Sequence, residues 1–126
     1  VSYALNDTPN ARPIIRVAEV MTGKVVFETY VTFAGFQNMT SPGRTRWMPD
    51  GQAILFVDVA PNGKTGVSMQ DFVPGQDTRA SRRNVAGFTE GFEVESFGIS
   101  PDGTRITVSH IEHFRSIKLA QGIGGR

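Results

Sequence analysis

Cysteine is absent from the 126 residues, which excludes disulfides and any Cys-ligated zinc site. The compartment stays open, because a cysteine-free protein works in cytosol and periplasm alike. Histidine is scarce, with two residues, and 13 Lys and Arg against 12 Asp and Glu leave a net charge of +1. Such a balance creates no strong field to draw in nucleic acid or an anionic membrane. No apolar run approaches the length of a membrane span, and the N-terminus lacks the charged-then-apolar pattern of a signal peptide. A mature secreted chain lacks one too, so localisation stays undecided. No segment shows a helical apolar stripe with caps. There is no Gly-x-Ser-x-Gly elbow, and Gly122-Ile123-Gly124-Gly125 has no helix after it to cradle a phosphate. Neither nucleophilic catalysis nor nucleotide binding has a candidate.

What the chain does have is turn punctuation, with 14 Gly and seven Pro, and a repeat. Shifted by 52 residues against itself without a gap, Pro9-Asn10 falls on Pro61-Asn62 and Gly23 on Gly75. Ala34-Gly35-Phe36 falls on Ala86-Gly87-Phe88, and Pro49-Asp50-Gly51 on Pro101-Asp102-Gly103. One Pro-Asp-Gly is a common turn. Four matches at one offset are a repeat.

Inside each copy the apolar pattern is strand-like. Ala53 to Val57 is a run of both parities bounded by turns, which fits a strand buried on both faces; its β-branched and aromatic content favours strand over a short helix. Its counterparts are Val1 to Leu5 and Ile106 to Val108. Further strands are predicted over Ile14 to Val20 and Gly66 to Phe72, each followed by a tight turn (Met21 to Lys24, Val73 to Gln76) whose glycine supplies a positive φ. A third strand is predicted at Val25 to Tyr30, and a fourth at Thr45 to Met48 and Phe97 to Ser100, ending in Pro-Asp-Gly. The expected fold is all-β, with four short antiparallel strands per copy.

The string Thr45-Arg46-Trp47-Met48-Pro49-Asp50-Gly51-Gln52-Ala53-Ile54-Leu55-Phe56 and its partner Phe97-Gly98-Ile99-Ser100-Pro101-Asp102-Gly103-Thr104-Arg105-Ile106 resemble the WD40-like repeat of the TolB family. Similar repeats occur in tricorn protease and the propellers of prolyl oligopeptidase-type peptidases. Ile15 to Gly23 and Val67 to Gly75 look like that family's strand, acidic residue and hairpin glycine. The chain departs from the pattern at Met48, which stands where serine is usual, and in a longer loop around Ala34 to Phe36. The resemblance implies β-propeller blades, about two and a half of them, in copies 1–52, 53–104 and a truncated 105–126. It implies a protein-interaction or scaffold module of bacterial type, periplasmic or extracellular, with no catalytic residue, cofactor or metal. The alternative is an accessory, substrate-gating propeller of a larger peptidase whose catalytic domain lies outside this chain. A third reading is a ligand-binding propeller with an axial metal.

A closed propeller needs at least four blades. The chain is therefore expected to be part of a larger propeller, with ring closure by self-association as the alternative. Bare apolar faces are expected around Val1, Tyr3 and Leu5 at one end and Ile106, Val108 and Ile117 at the other, covered by more blades or by another copy. The expected partner is a protein or peptide, with neither nucleic acid nor membrane.

Candidate chemistry is thin. His110, Glu112 and His113 could ligate a metal, but on a strand His113 points away from the other two, and the spacing is not His-Glu-x-x-His. Arg79, Arg82 and Arg83 could grip phosphate or an acidic partner, yet they fit better as a charged edge strand. Glu90, Glu93 and Glu95, with Asp102 beyond, lack calcium-loop spacing. Trp47 and Phe97 are expected in the core between blades.

Overall fold

The computed structural model describes residues 2–5, 14–31, 45–91 and 93–111. Among them are nine strands: β1 (Ser2–Leu5), β2 (Ile14–Ala18), β3 (Val25–Tyr30), β4 (Thr45–Trp47), β5 (Ala53–Val59), β6 (Thr65–Asp71), β7 (Arg83–Gly87), β8 (Glu93–Ile99) and β9 (Ile106–Ile111). A short 3-10 turn, Arg79–Ser81, is the sole helical element described. All-β architecture is as expected. Every pairing is antiparallel between strands adjacent in sequence, giving a three-stranded sheet β1-β2-β3, a four-stranded sheet β4-β5-β6-β7 and a two-stranded sheet β8-β9.

The sheets are out of phase with the repeat copies. The Pro-Asp-Gly segment is a hairpin turn, so the two strands it joins must pair with each other. The last strand of the first copy, β4, therefore opens the second sheet against β5, with Trp47 opposite Ile54. Among the described residues one sheet has four strands, where two were expected.

Both Pro-Asp-Gly turns close identically. Gly51 N–H donates to Met48 O at 2.8 Å and Gly103 N–H to Ser100 O at 2.9 Å. The Asp50 and Asp102 carboxylates accept from the N–H two residues on, at 2.9 and 3.1 Å. Gly51 and Gly103 sit at φ +71° and +73°, a conformation that side chains disfavour. The two turns also touch: a Cβ on Gly103 would lie 3.2 Å from Met48 Cε and 3.3 Å from Pro49 Cδ.

The second sheet is packed on both faces, and β5 shows how. Ile54 and Phe56 join Ile15, Val17 and Phe27 of the first sheet, and Val31 just after it, in one core. Leu55 and Val57, on the opposite face, join Val67, Val94 and Phe97 in a second core shared with the third sheet. Alternation along a strand sends neighbours to opposite faces, so an unbroken apolar run is what a doubly covered strand requires. Each of these large side chains contributes about 1.5–3 kcal/mol of burial. Edge-to-face contacts from Phe72 to Phe27 (5.4 Å) and to Trp47 (4.8 Å) extend the first core, and Phe97 is buried in the second. Trp47 and Phe97 thus pack between sheets, as expected.

Two expectations need correction. Val73 to Gln76 closes as a tight turn, with Gln76 N–H donating to Val73 O at 3.1 Å and Gly75 at φ +77°, but it makes no hairpin: β6 ends at Asp71 and β7 starts at Arg83, so residues 72–82 form a long connection where the first copy has the short turn 19–24. Polar side chains hold that connection in place. Asp71 N–H donates to Ser81 Oγ at 2.9 Å, Ser81 Oγ donates to Thr78 O at 2.7 Å, and Thr78 Oγ1 donates to Asp71 O. Ile106 and Val108, expected on a bare face, instead pair with Ile99 and Phe97 and point inward onto the second core. The opposite face of that sheet carries Ser96, Gly98, Thr107 and Ser109. The side chains of Val1, Tyr3, Leu5 and Ile117, and the Ala34 to Phe36 segment, lie outside the described residues.

Close approach shapes the end of β7. Gly87 and Phe88 both have positive φ (+79° and +61°), and Phe88 N–H donates to Thr65 O at 2.7 Å. This lays the Phe88 ring on Gly66, where a Cβ would fall 2.3 Å from Phe88 Cδ2 and 2.5 Å from Ala86 O.

Candidate interaction face and its polar bridge

Strand alternation gathers the turns 19–24, 48–53 and 100–105 and the connection 72–82 at one end of the stack. Contact between the two Pro-Asp-Gly turns, and a hydrogen bond from Gly75 N–H to Val26 O (2.7 Å), join these segments across sheets. This end is unusually apolar for a turn surface. Val20 and Met21 at the tip of the first hairpin are 77% and 94% exposed, and Val25 and Val73 are also exposed. Val73 also lines an open recess of about 420 Å³ with Met48, Met69, Phe72, Asp50, Asp71 and Arg83. Loops presented by a rigid sheet scaffold suit recognition, and a mixed apolar and charged recess suits a peptide side chain better than a reacting centre.

The arginine run divides: Arg83 opens the edge strand β7, as expected, Arg79 lies exposed in the 3-10 turn before it, and Arg82 is drawn inward. Arg79 holds Asp77 in a two-pronged pair (2.9 and 2.6 Å), which keeps the Asp77 carboxyl down at about 2. Arg83 pairs with Asp71 at 3.1 Å. Arg82 turns inward between the first two sheets. Its Nη2 donates to Thr29 Oγ1 (2.7 Å), Tyr30 O (2.6 Å) and Gln70 Oε1 (3.0 Å), and its Nη1 lies 3.6 Å from the Asp58 carboxylate. The guanidinium also stands 4.8 Å over the Phe56 ring. Burial lowers its pKa, and Asp58 opposes that shift.

This bridge is built on buried polar residues. Thr29 is 1% and Gln70 0% exposed, and Thr29 Oγ1 donates to Gln70 Oε1 at 2.9 Å. Gln70 Nε2 donates in turn to Thr78 Oγ1 at 3.2 Å. Sequence reading missed Thr29, Asp58 and Gln70. Their one signal is a polar residue at an inward parity of a buried strand, visible only once the faces are assigned.

The acidic group does not assemble. Glu90 pairs with Lys64 at 3.4 Å and Glu93 begins β8, whereas Asp102 lies in the turn beyond the far end of that strand. Ser100 and Thr104 hydroxyls and the Thr104 N–H hold the Asp102 carboxyl at about 2, which makes it a turn residue. His110 is exposed on β9, opposite Val94; Glu112 and His113 lie outside the described residues. Among the described residues no three His, Asp or Glu converge on a metal-sized site. Comparison with protein-family models, with curated proteins and with solved structures gives no match to this chain.

Proposed function

We propose that this chain is part of a WD40-like β-propeller of the TolB type and works as a non-catalytic module that holds a protein or peptide at its turn-bearing end. The observation that carries the reading is β5, which is buried on both faces between the first and third sheets, while the second and third sheets repeat the same Pro-Asp-Gly turn. Blades around an axis need such a strand, because each must cover its neighbour. Further blades then come in cis, outside the first and third sheets. The apolar tip at Val20 and Met21 supplies a contact surface, and the pairing of Arg79, Arg82 and Arg83 with carboxylates argues against nucleic-acid binding by that run.

The test is photo-crosslinking in the intact protein as its cell makes it. A photoreactive residue goes at Met21, at Asp50 or, as a control on the third sheet's outward face, at Thr107. The proposal expects one discrete protein adduct from Met21 and Asp50 and none from Thr107. Equal labelling from all three positions would overturn the assigned face. Peptide hydrolysis by the intact protein would favour a substrate-gating propeller, and images of an isolated three-sheet stack in place of a ring would sink the propeller.

A further inference from the structure

β3 and β7 are the C-terminal edge strands of the first and second sheets, and they are protected differently. β7 is short, starts with Arg83, bulges against Val67 and Ser68 and ends in the left-handed pair Gly87 and Phe88. Charge, bulge and twist each discourage a further strand. β3 reads Val-Val-Phe-Glu-Thr-Tyr, with its bulge confined to the hairpin end and a regular run from Phe27 to Tyr30. Its one charge, Glu28, is engaged by Arg16 at 2.8 Å. Such an edge is a template for pairing.

The connection 72–82 lies along that edge. Gly75 N–H donates to Val26 O (2.7 Å) as a neighbouring strand would, and Arg82 Nη2 donates to Tyr30 O (2.6 Å). In a strand, residues 26, 28 and 30 direct their backbone groups to the same side, so the connection caps the first and last of three outward carbonyls. Between these anchors Val26, Glu28, Tyr30, Gly75, Asp77 and Arg79 line a recess of about 450 Å³.

We infer that residues 72–82 are an edge guard, occupying the side of β3 to which a second copy of this chain would otherwise add a strand. A bare strand edge recognises another extended backbone, and every copy carries the same edge at the same concentration. The guard also explains why the copies differ. The connection is long where it serves the edge of the preceding sheet, and β7, the third strand of the second copy, is displaced to make room for it.

Gly75→Pro removes the N–H that Val26 accepts and cannot hold the φ of +77° found there. Gly75→Ala keeps the N–H but strains the same position. Light scattering over a concentration series, with circular dichroism to check folding, should show mass rising in the order unmodified chain, Gly75→Ala, Gly75→Pro, with β-structure retained. Adding Glu28→Pro to Gly75→Pro should return the mass to that of the unmodified chain, because it removes an outward N–H and leaves the β2 ladder intact. Folded Gly75 variants with unchanged mass would overturn the inference. So would association that Glu28→Pro does not suppress, since that marks aggregation of unfolded chain. Should Gly75→Pro not fold, Gly75→Ala decides alone, and a mass equal to the unmodified chain refutes the guard.

Discussion

Arg82→Ala should be the most damaging single truncation on the polar side of the fold. The change removes one guanidinium from three buried partners, Thr29, Gln70 and Asp58, each of which keeps another hydrogen bond. A hydrogen bond to a charged group contributes about 1.5–3 kcal/mol, but these bonds share one donor group and do not add. Breaking a buried ion pair costs about 3–5 kcal/mol; Arg82 keeps a quarter of its side chain exposed and Asp58 still accepts from the Val59 N–H, so about 3 kcal/mol is expected. For a chain of this size that lowers Tm by roughly 10–15 °C. Urea denaturation followed by Trp47 fluorescence gives the free energy directly, since the single tryptophan packs on Phe72 at the same sheet interface. Arg82→Lys should lose about half as much, keeping a charge near Asp58 without the fork. Arg82→Met combined with Asp58→Leu should recover part of the loss. A loss under about 1 kcal/mol for Arg82→Ala, or no coupling between Arg82 and Asp58, would refute the bridge as a determinant of stability.

Gly66→Ala should cost about 1–3 kcal/mol by denaturant midpoint, because the new methyl meets the Ala86 carbonyl oxygen and the Phe88 ring; a neutral result would contradict the packing at the end of β7. Asp102 should titrate near 2, and Ser100→Ala should move it up toward the ordinary carboxylate value of 3.8, as followed by carboxyl carbon NMR. Its folded pKa is depressed, so the stability it adds is present at neutral pH and fades as pH falls from about 4 toward 2. A titration unchanged by Ser100→Ala would contradict the hydroxyl as a cause.

Much of the architecture was legible because it rests on local chemistry. Pro-Asp-Gly specifies a hairpin turn wherever it occurs, and the unbroken run Ala53 to Val57 needs two apolar neighbours, which β5 has. The displaced third strand was not legible, because a long connection after β6 is offset by a short one after β7, and the 52-residue spacing survives both. The inward course of Arg82 was hidden for another reason. Three arginines in five residues look like a surface, and only the buried Thr29 and Gln70 on two different sheets draw one of them inside. The inward turn of Ile106 and Val108 depended on the pairing register, which composition does not encode.

β5 divides its side chains between two different neighbouring sheets. Methyl NOE spectroscopy on an Ile, Leu and Val labelled chain tests it most directly. Cross-peaks should link Ile54 with the Ile15 and Val17 methyls, and Leu55 and Val57 with Val94, with none between Ile54 and Val94. Cross-peaks from Ile54 and Leu55 to the same set of methyls would place both on one face and contradict the stacked-sheet account.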